Sequence, residues 1–354
     1  MDERSLAFLK KLLDAPGPSG FEQGPARLWR EEAKSFASVE GDALGNSLAT
    51  LNTGGSPRIM LAGHVDEIGL MIVHIDDEGF LHFAPIGGWD SQVLVGQRVL
   101  IDAQGGPVMG VIGKKAIHLM KHEDRDKVSK ITDLWIDIGA KSKDEAGARV
   151  RIGDAAVLAT APHEFPNGRL ISRSIDNRIG AFVVLEALRM LSATKGFSAE
   201  VTAVATTQEE IAYTGGGART SAVRLHPDAA IVVDVTHATD YPGVEKKEIG
   251  DFKLGSGPVI SRGSAISRLI FEQLVTAAEK AALPFSIEAA PRGTNTDADS
   301  IYTSRSGVAT GLVSVPCRYM HSPNEMVALQ DLDQAASLIA AWVRTLTKDT
   351  SFIP

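Results

Sequence analysis

The chain has 354 residues, 44% of them hydrophobic and 23% charged, the balance of a soluble globular protein long enough for one large domain and a smaller second one. A formal net charge of -8 argues against non-specific binding to nucleic acid or to an anionic membrane surface. Cys317 is the single cysteine, so no intrachain disulfide forms, and this fits a reducing compartment.

The opening residues MDERSLAFLKKLLDAPG mix acids and bases and predict an amphipathic helix rather than a secretory signal, stopped at Pro16-Gly17-Pro18. No apolar run approaches a membrane span, and a cytoplasmic protein is expected. A second helix is expected around Glu22 to Phe36, then short strands at 46–51 and 58–62, the second leading into Gly63-His64-Val65-Asp66.

Between residues 70 and 164 the texture changes to short β-like runs separated by glycine turns: 70–75, 80–84, 93–101, 108–112, 134–138 and 155–158. Strands at this spacing predict a small all-β module, barrel or sandwich. The stretch KHEDRDKVSK (121–130) reads as a solvated loop, since its acids interleave with its bases. From Asp176 onward helices and apolar strands alternate: helices at 180–191, 267–282 and 331–346, strands at 201–205, 229–233, 285–288 and 308–313. Near-continuous apolar strands between helices predict a largely parallel sheet covered on both faces. The expected fold is therefore α/β, a mostly parallel-containing sheet flanked by helices, with residues 1–69 and 165–354 as one domain and 70–164 as an all-β insertion.

The acids and histidines fall in a pattern against these strands. His64 and Asp66 follow one strand, Glu209 and Glu210 a second, Asp234 a third, and His321 lies beyond a fourth. Ligands of open α/β sheets bind at the carboxyl ends of strands. Imidazole and carboxylate suit zinc, cobalt or manganese, and a shared carboxylate can hold two such ions for water activation. A glutamate beside a ligand glutamate supplies the base that such a site still needs.

The runs HVDEIG, SIDNRIGAFVVLEAL, QEE, IVVDVTHA, RGTNTDADSI and VPCRYMHSPNEMV, with PGPSGFE and DALGNSLA, resemble the co-catalytic metallo-aminopeptidases of the glutamyl, deblocking and tetrahedral aminopeptidase family, some members of which carry cellulase or endoglucanase descriptions. The resemblance covers essentially the whole chain. It implies a zinc-peptidase-like domain and two divalent metal ions per subunit, zinc first, with cobalt or manganese as alternatives. It implies Asp176 as the carboxylate bridging both ions, His64 and Asp234 completing one, and Glu210 and His321 the other. It makes Glu209 the general base, with Asp66 orienting His64 from behind. It further implies peptide substrates, a barrel-like insertion used in dimerisation, and dimers assembled into a tetrahedral homododecamer. Gly263-Ser264-Ala265 departs from the family, where proline often follows the glycine.

Blander explanations compete at each position. Glu209-Glu210 could be an acidic pair at a helix N-terminus, and Asp176 a helix N-cap. Gly215-Gly216-Gly217 lacks the spacing of a phosphate loop and reads as flexibility or close backbone approach. Cys317 reads as a packed residue, and the histidines at 74, 82, 118, 122, 163, 226 and 237 as structural or surface groups. Two other functions stand beside the aminopeptidase: a glycoside hydrolase working through paired carboxylates, and an inactive metal-binding scaffold.

Overall fold

The apolar runs pair in the computed structural model, which describes residues 1–194, 196–211 and 215–354, into a sheet of eight strands. Across it the order is Ser38–Gly41, Ser47–Leu51, Glu200–Thr206, Arg58–His64, Ala229–His237, Ala309–Cys317, Val259–Gly263 and Ser286–Ala290. Glu200–Thr206, Arg58–His64, Ala229–His237 and Ala309–Cys317 run parallel to one another, as do the last two strands as a pair. The first two strands form an antiparallel hairpin, and the joins at both flanks of the parallel centre are antiparallel.

Successive side chains on the central strands point to opposite faces, and each face buries its own set. Ile59, Leu61, Val201, Ile231, Val233, Val313 and Val315 pack under the helices Glu3–Asp14, Ile175–Ser192, Arg268–Lys280 and Leu329–Thr345. Met60, Ala62, Val204, Ala230, Val232 and Leu312 pack under Gly216–Leu225 and Asp297–Tyr302 through Ala218, Ala222, Ala298 and Ile301. Burial on both faces is why these strands read as continuous apolar runs rather than as alternation.

The predicted short strands close into a barrel in the order Gly69–Ile75, Leu81–Ile86, Leu134–Asp137, Val108–Lys114, Arg98–Ile101 and Ala155–Leu158, the last pairing back on the first. Leu70, Ile72, Leu81, Val99, Ile112, Ile136 and Leu158 fill it as a separate core. One predicted strand is shorter than expected. Residues 91–94 make a helical turn instead, because Asp90 caps it by accepting from the Gln92 amide at 2.9 Å, and extended pairing resumes only at Arg98, past Gly96 at φ +81°.

Two central strands are longer than predicted. Ala229–His237 and Ala309–Cys317 stay paired through His237 opposite Cys317, so Asp234 lies inside its strand rather than beyond its end. A three-stranded sheet of His163–Phe165, Arg169–Ser172 and Glu325–Ala328 was not anticipated, its strands being too short to show a period. Among the described residues no helix is long and apolar enough to cross a membrane.

The turn after His64 is fixed by a buried ion cluster. Glu67 accepts from Arg173 and, at 2.8 Å, from Arg178, while the fully buried Arg178 also donates to the carbonyls of Leu12 and Val65, each at 3.0 Å. Removing one partner of a buried pair strands the other charge. Glu67→Ala is therefore expected to lower the unfolding free energy by about 3–5 kcal/mol, read from urea titration, with Glu67→Gln costing less.

Candidate metal centre

Close packing of two glycines brings the candidate residues together. A Cβ on Gly63 would lie 2.4 Å from the Gly180 carbonyl carbon, and one on Gly180 would lie 2.5 Å from the Val233 carbonyl oxygen. With no side chain at either position, the helix Ile175–Ser192 crosses directly over the strand that ends at His64. The helix is broken at its start, where Asp176 and Asn177 have non-helical torsions. Asn177, not Asp176, does the capping: its Oδ1 accepts from the Gly180 amide at 3.0 Å. Both oxygens of Asp176 are left facing the cleft.

Those two oxygens face different histidines. Oδ1 lies 3.3 Å from His64 Nε2, and Oδ2 lies 3.3 Å from His321 Nε2. His321 Nε2 is also 3.3 Å from Glu210 Oε1, and His64 Nε2 is 3.7 Å from Glu209 Oε2. One donor atom each from His64, Asp176 and Glu210 lie within 4.8 Å of one another. Asp234 faces the same cleft, a cavity of about 440 Å³. Of the seven sequence-predicted residues only Asp66 does not line it. Asp66 sits fully buried behind, with Oδ1 3.4 Å from His64 Nδ1 and accepting from the Glu209 amide at 3.2 Å, and Oδ2 accepting from the Glu210 amide at 3.1 Å. One side chain thus fixes both the imidazole and the two glutamates.

The second histidine is anchored differently. His321 Nδ1 lies 2.9 Å from the Gly88 carbonyl, in the loop following the barrel strand Leu81–Ile86. That oxygen can only accept, so Nδ1 carries a proton and Nε2 is the nitrogen presented to the cleft. Gln208 at φ +61° and His321 at φ +57° place left-handed turns at the two site loops, conformations costly for residues with a Cβ and frequent at functional sites.

Buried carboxylates dominate the electrostatics of the site. Burial, partly opposed by His64 and reinforced by Asp234, Asp297 and Glu210, pushes the Glu209 carboxyl well above its usual range. Burial also raises Asp234, with His64 opposing and Asp176 adding repulsion. Burial disfavours the His321 imidazolium, yet the hydrogen bonds to Asp176 and Glu210 outweigh it and push its pKa up to about 11. Burial acts against Asp176 too, but its contacts with His321 and His64 hold it below the ordinary carboxylate value. Two imidazoles are thus drawn into the role of counter-ions to a crowded carboxylate set. Imidazole nitrogen and carboxylate oxygen converging in this way fit borderline divalent metals.

The competing explanations of single residues fail here. Among the described residues the next helix starts at Gly216, and Glu209 and Glu210 are not in its first turn. A Cβ on Gly217 would lie 2.0 Å from Asn46 Oδ1, so that glycine serves close approach. Cys317 is buried, and burial raises its thiol pKa well above the usual value. His237, expected to be a structural or surface group, does border the cleft. Two supporting acids went unassigned. Buried Glu325 accepts from the Asp176 amide at 3.0 Å and from the His321 amide at 2.8 Å, and buried Asp297 accepts from Thr206 Oγ1 at 2.5 Å. Both lie inside recognisable motifs, but neither role shows in spacing.

The fold and donor set define a metal-dependent hydrolase. The profile of the M42 glutamyl aminopeptidase family matches residues 45–338, and the chain belongs to that family. It is a divalent-metal-dependent aminopeptidase, a hydrolase of peptide bonds. A lysyl aminopeptidase of Pyrococcus furiosus is 35% identical over 98% of this chain and 99% of its own. A TET aminopeptidase structure from a marine-sediment Thaumarchaeota archaeon superposes with a TM-score of 0.92 at 34% identity, covering 97% of each chain. A TET peptidase of Pyrococcus horikoshii, described as assembling into a tetrahedron or a large octahedral shell, gives 0.85 at 34% identity over 97% of this chain and 100% of that one. A Thermotoga maritima structure described as an endoglucanase gives 0.76 at 28% identity over 95% and 96%.

Glu325→Ala removes the acceptor of the buried Asp176 amide, worth about 1–3 kcal/mol when left unsatisfied, and of the part-buried His321 amide. The expected outcome is a destabilised protein in equilibrium unfolding and about 10–100-fold weaker metal binding by titration calorimetry.

Proposed function

We propose that the cleft holds two divalent ions bridged by Asp176, with His64 and Asp234 completing one set of donors and Glu210 and His321 the other, and that Glu209 is the general base. The single observation carrying this assignment is that each Asp176 oxygen faces a different histidine Nε2 at the same 3.3 Å. Ions bound there would polarise the scissile carbonyl and make water acidic enough to deprotonate near neutral pH. Zinc is the first choice, and cobalt or manganese suits the same donors.

The residues of this chain then act as follows. Glu209 reaches the cleft at Oε2, 3.7 Å from His64 Nε2, accepts the proton of the attacking water and delivers it to the leaving amine. Asp66 keeps His64 oriented and holds the Glu209–Glu210 backbone by both amides. The cleft wall carries five carboxylates, Asp176, Glu209, Glu210, Asp234 and Glu288, and no lysine or arginine among the described residues. Of these, Glu288 lies outside the proposed ligand and base set, and its charge favours the ammonium end of a peptide over its carboxylate end. A glycosidase needs carboxylates free of histidine donors. An inert scaffold has no use for Glu209.

Residues 70–164 act, on this proposal, as a dimerisation domain inserted between 1–69 and 165–354. Val73, Met109, Val111, Ile117, Leu119, Val128 and Ile152 all leave large apolar surface exposed in this segment. Dimers joined into a tetrahedral homododecamer extend to this chain the assembly described for the Pyrococcus horikoshii peptidase. A cytoplasmic location is supported by the single cysteine.

Chelation should abolish hydrolysis of aminoacyl chromogenic substrates, and zinc, cobalt or manganese added in turn should restore it. A soluble cellulose derivative should remain uncut; cellulose cleavage without amide cleavage overturns the reading. Glu209→Gln should keep the metal content measured by atomic emission while kcat falls by about 10²–10⁴. Size-exclusion chromatography with light scattering should report a dodecamer, and a monomeric species would remove the assembly.

A further inference from the structure

The strand Glu200–Thr206 ends one turn before the proposed base, and the amides of the next four residues are each met by a side chain from elsewhere in the chain. Asn46 Oδ1 accepts from the Thr207 amide at 3.0 Å and Glu22 Oε1 from the Gln208 amide at 3.1 Å. The two oxygens of Asp66 take the amides of Glu209 and Glu210. The runs DALGNSLA and PGPSGFE, for which the ligand set has no use, thus supply the first two acceptors.

Glu22 is the less expected of them. It stands at the N-cap of the helix Gln23–Ala33, where a side-chain oxygen ordinarily accepts from the first turn, yet it makes no such bond. Instead it lies buried, with Oε1 accepting from the Gly20 amide at 2.7 Å as well as from Gln208. Gly20, at φ +88°, lets the chain turn there, and Ser19 Oγ donates to Asp66 Oδ2. Burial and the nearby Asp66 push the Glu22 carboxyl up to about 7. Its oxygen accepts with or without a proton.

We propose that Glu22 is a positioning residue for Glu209, holding through the Gln208 amide the left-handed turn from which the base enters the cleft. This rests on the base assignment above. A positive φ in a residue with a Cβ persists only where surrounding contacts hold it. Asp66 clamps the two amides after the turn, and Glu22 clamps the turn itself. Without that acceptor the turn can relax and carry the Glu209 carboxylate with it, and a displacement of about 1 Å costs on the order of 100-fold in rate. Glu210 lies one residue further on and stays bonded to Asp66.

The test compares kcat, KM and metal content of Glu22→Gln, Glu22→Asp and Glu22→Ala, metal-loaded, on an aminoacyl chromogenic substrate. Glutamine keeps the reach and an accepting oxygen; aspartate keeps the charge and falls one methylene short. Glu22→Gln should hold kcat within about 3-fold, while Glu22→Asp and Glu22→Ala lower it about 10–100-fold with KM within about 3-fold. Metal content by atomic emission should stay that of the unaltered protein. Added to Glu209→Gln, Glu22→Asp should cost less than about 3-fold more, because no base remains to be positioned. Should Glu22→Ala fail to fold, the Gln and Asp pair alone decides. Equal losses in that pair, a loss carried in KM or in metal content, or full additivity with Glu209→Gln overturns the assignment. A native kcat in Glu22→Asp beside an impaired Glu209→Gln removes Glu22 and leaves the base standing. A native kcat in Glu209→Gln removes the base itself, and the role of Glu22 with it.

Discussion

Too much negative charge in too little water is the constraint around which this protein is arranged. Asp176, Glu209, Glu210 and Asp234 crowd one cleft, and Asp66, Asp297 and Glu325 stand buried behind it. Ionised carboxylates at such separations repel and lose hydration, and a fold tolerates them only if each is supplied with donors or cations. Backbone amides meet part of the demand: those of Glu209 and Glu210 go to Asp66, and those of Asp176 and His321 go to Glu325. The two imidazoles and the divalent ions that the family requires meet the rest. The supporting acids are therefore not redundant ligands. They hold the loops in the geometry at which the carboxylates of the cleft converge.

The sheet makes that geometry rigid. Parallel strands covered on both faces end at one edge, and the Gly63–Gly180 crossing brings the broken start of a helix against the end of the His64 strand. Binding groups carried on strand ends and on turns braced by buried side chains are held more closely than groups on long loops. The Glu67–Arg173–Arg178 cluster works on the same principle, tying the turn after His64 to carbonyls in the last turn of the first helix. It contributes fixity more than net stability, since burying paired charges costs nearly what their attraction returns.

Much of this was legible in the sequence, for identifiable reasons. The central strands announced themselves by apolar content because both faces are buried. The barrel strands show in their glycine spacing, and His64, Glu209, Glu210 and His321, which line the cleft, in their falling past strand ends. What stayed hidden depends on partners distant in the chain. That Asn177 caps the helix and frees Asp176 requires the torsions of that turn. Glu325 accepts from the amides of Asp176 and His321 out of a four-residue strand too short to carry a period. Asp234 was expected beyond its strand because apolar content falls at that point, yet backbone pairing continues to His237.

The bond from His321 to the Gly88 carbonyl spans 233 positions of the chain. Closing so long a loop costs entropy that local structure cannot offset, so this wall of the cleft forms only once the barrel segment and the sheet have both acquired their shape. During synthesis Gly88 emerges long before His321 does. A chain still being made presents an unfinished cleft, and cleavage power arrives as one of the last events of folding.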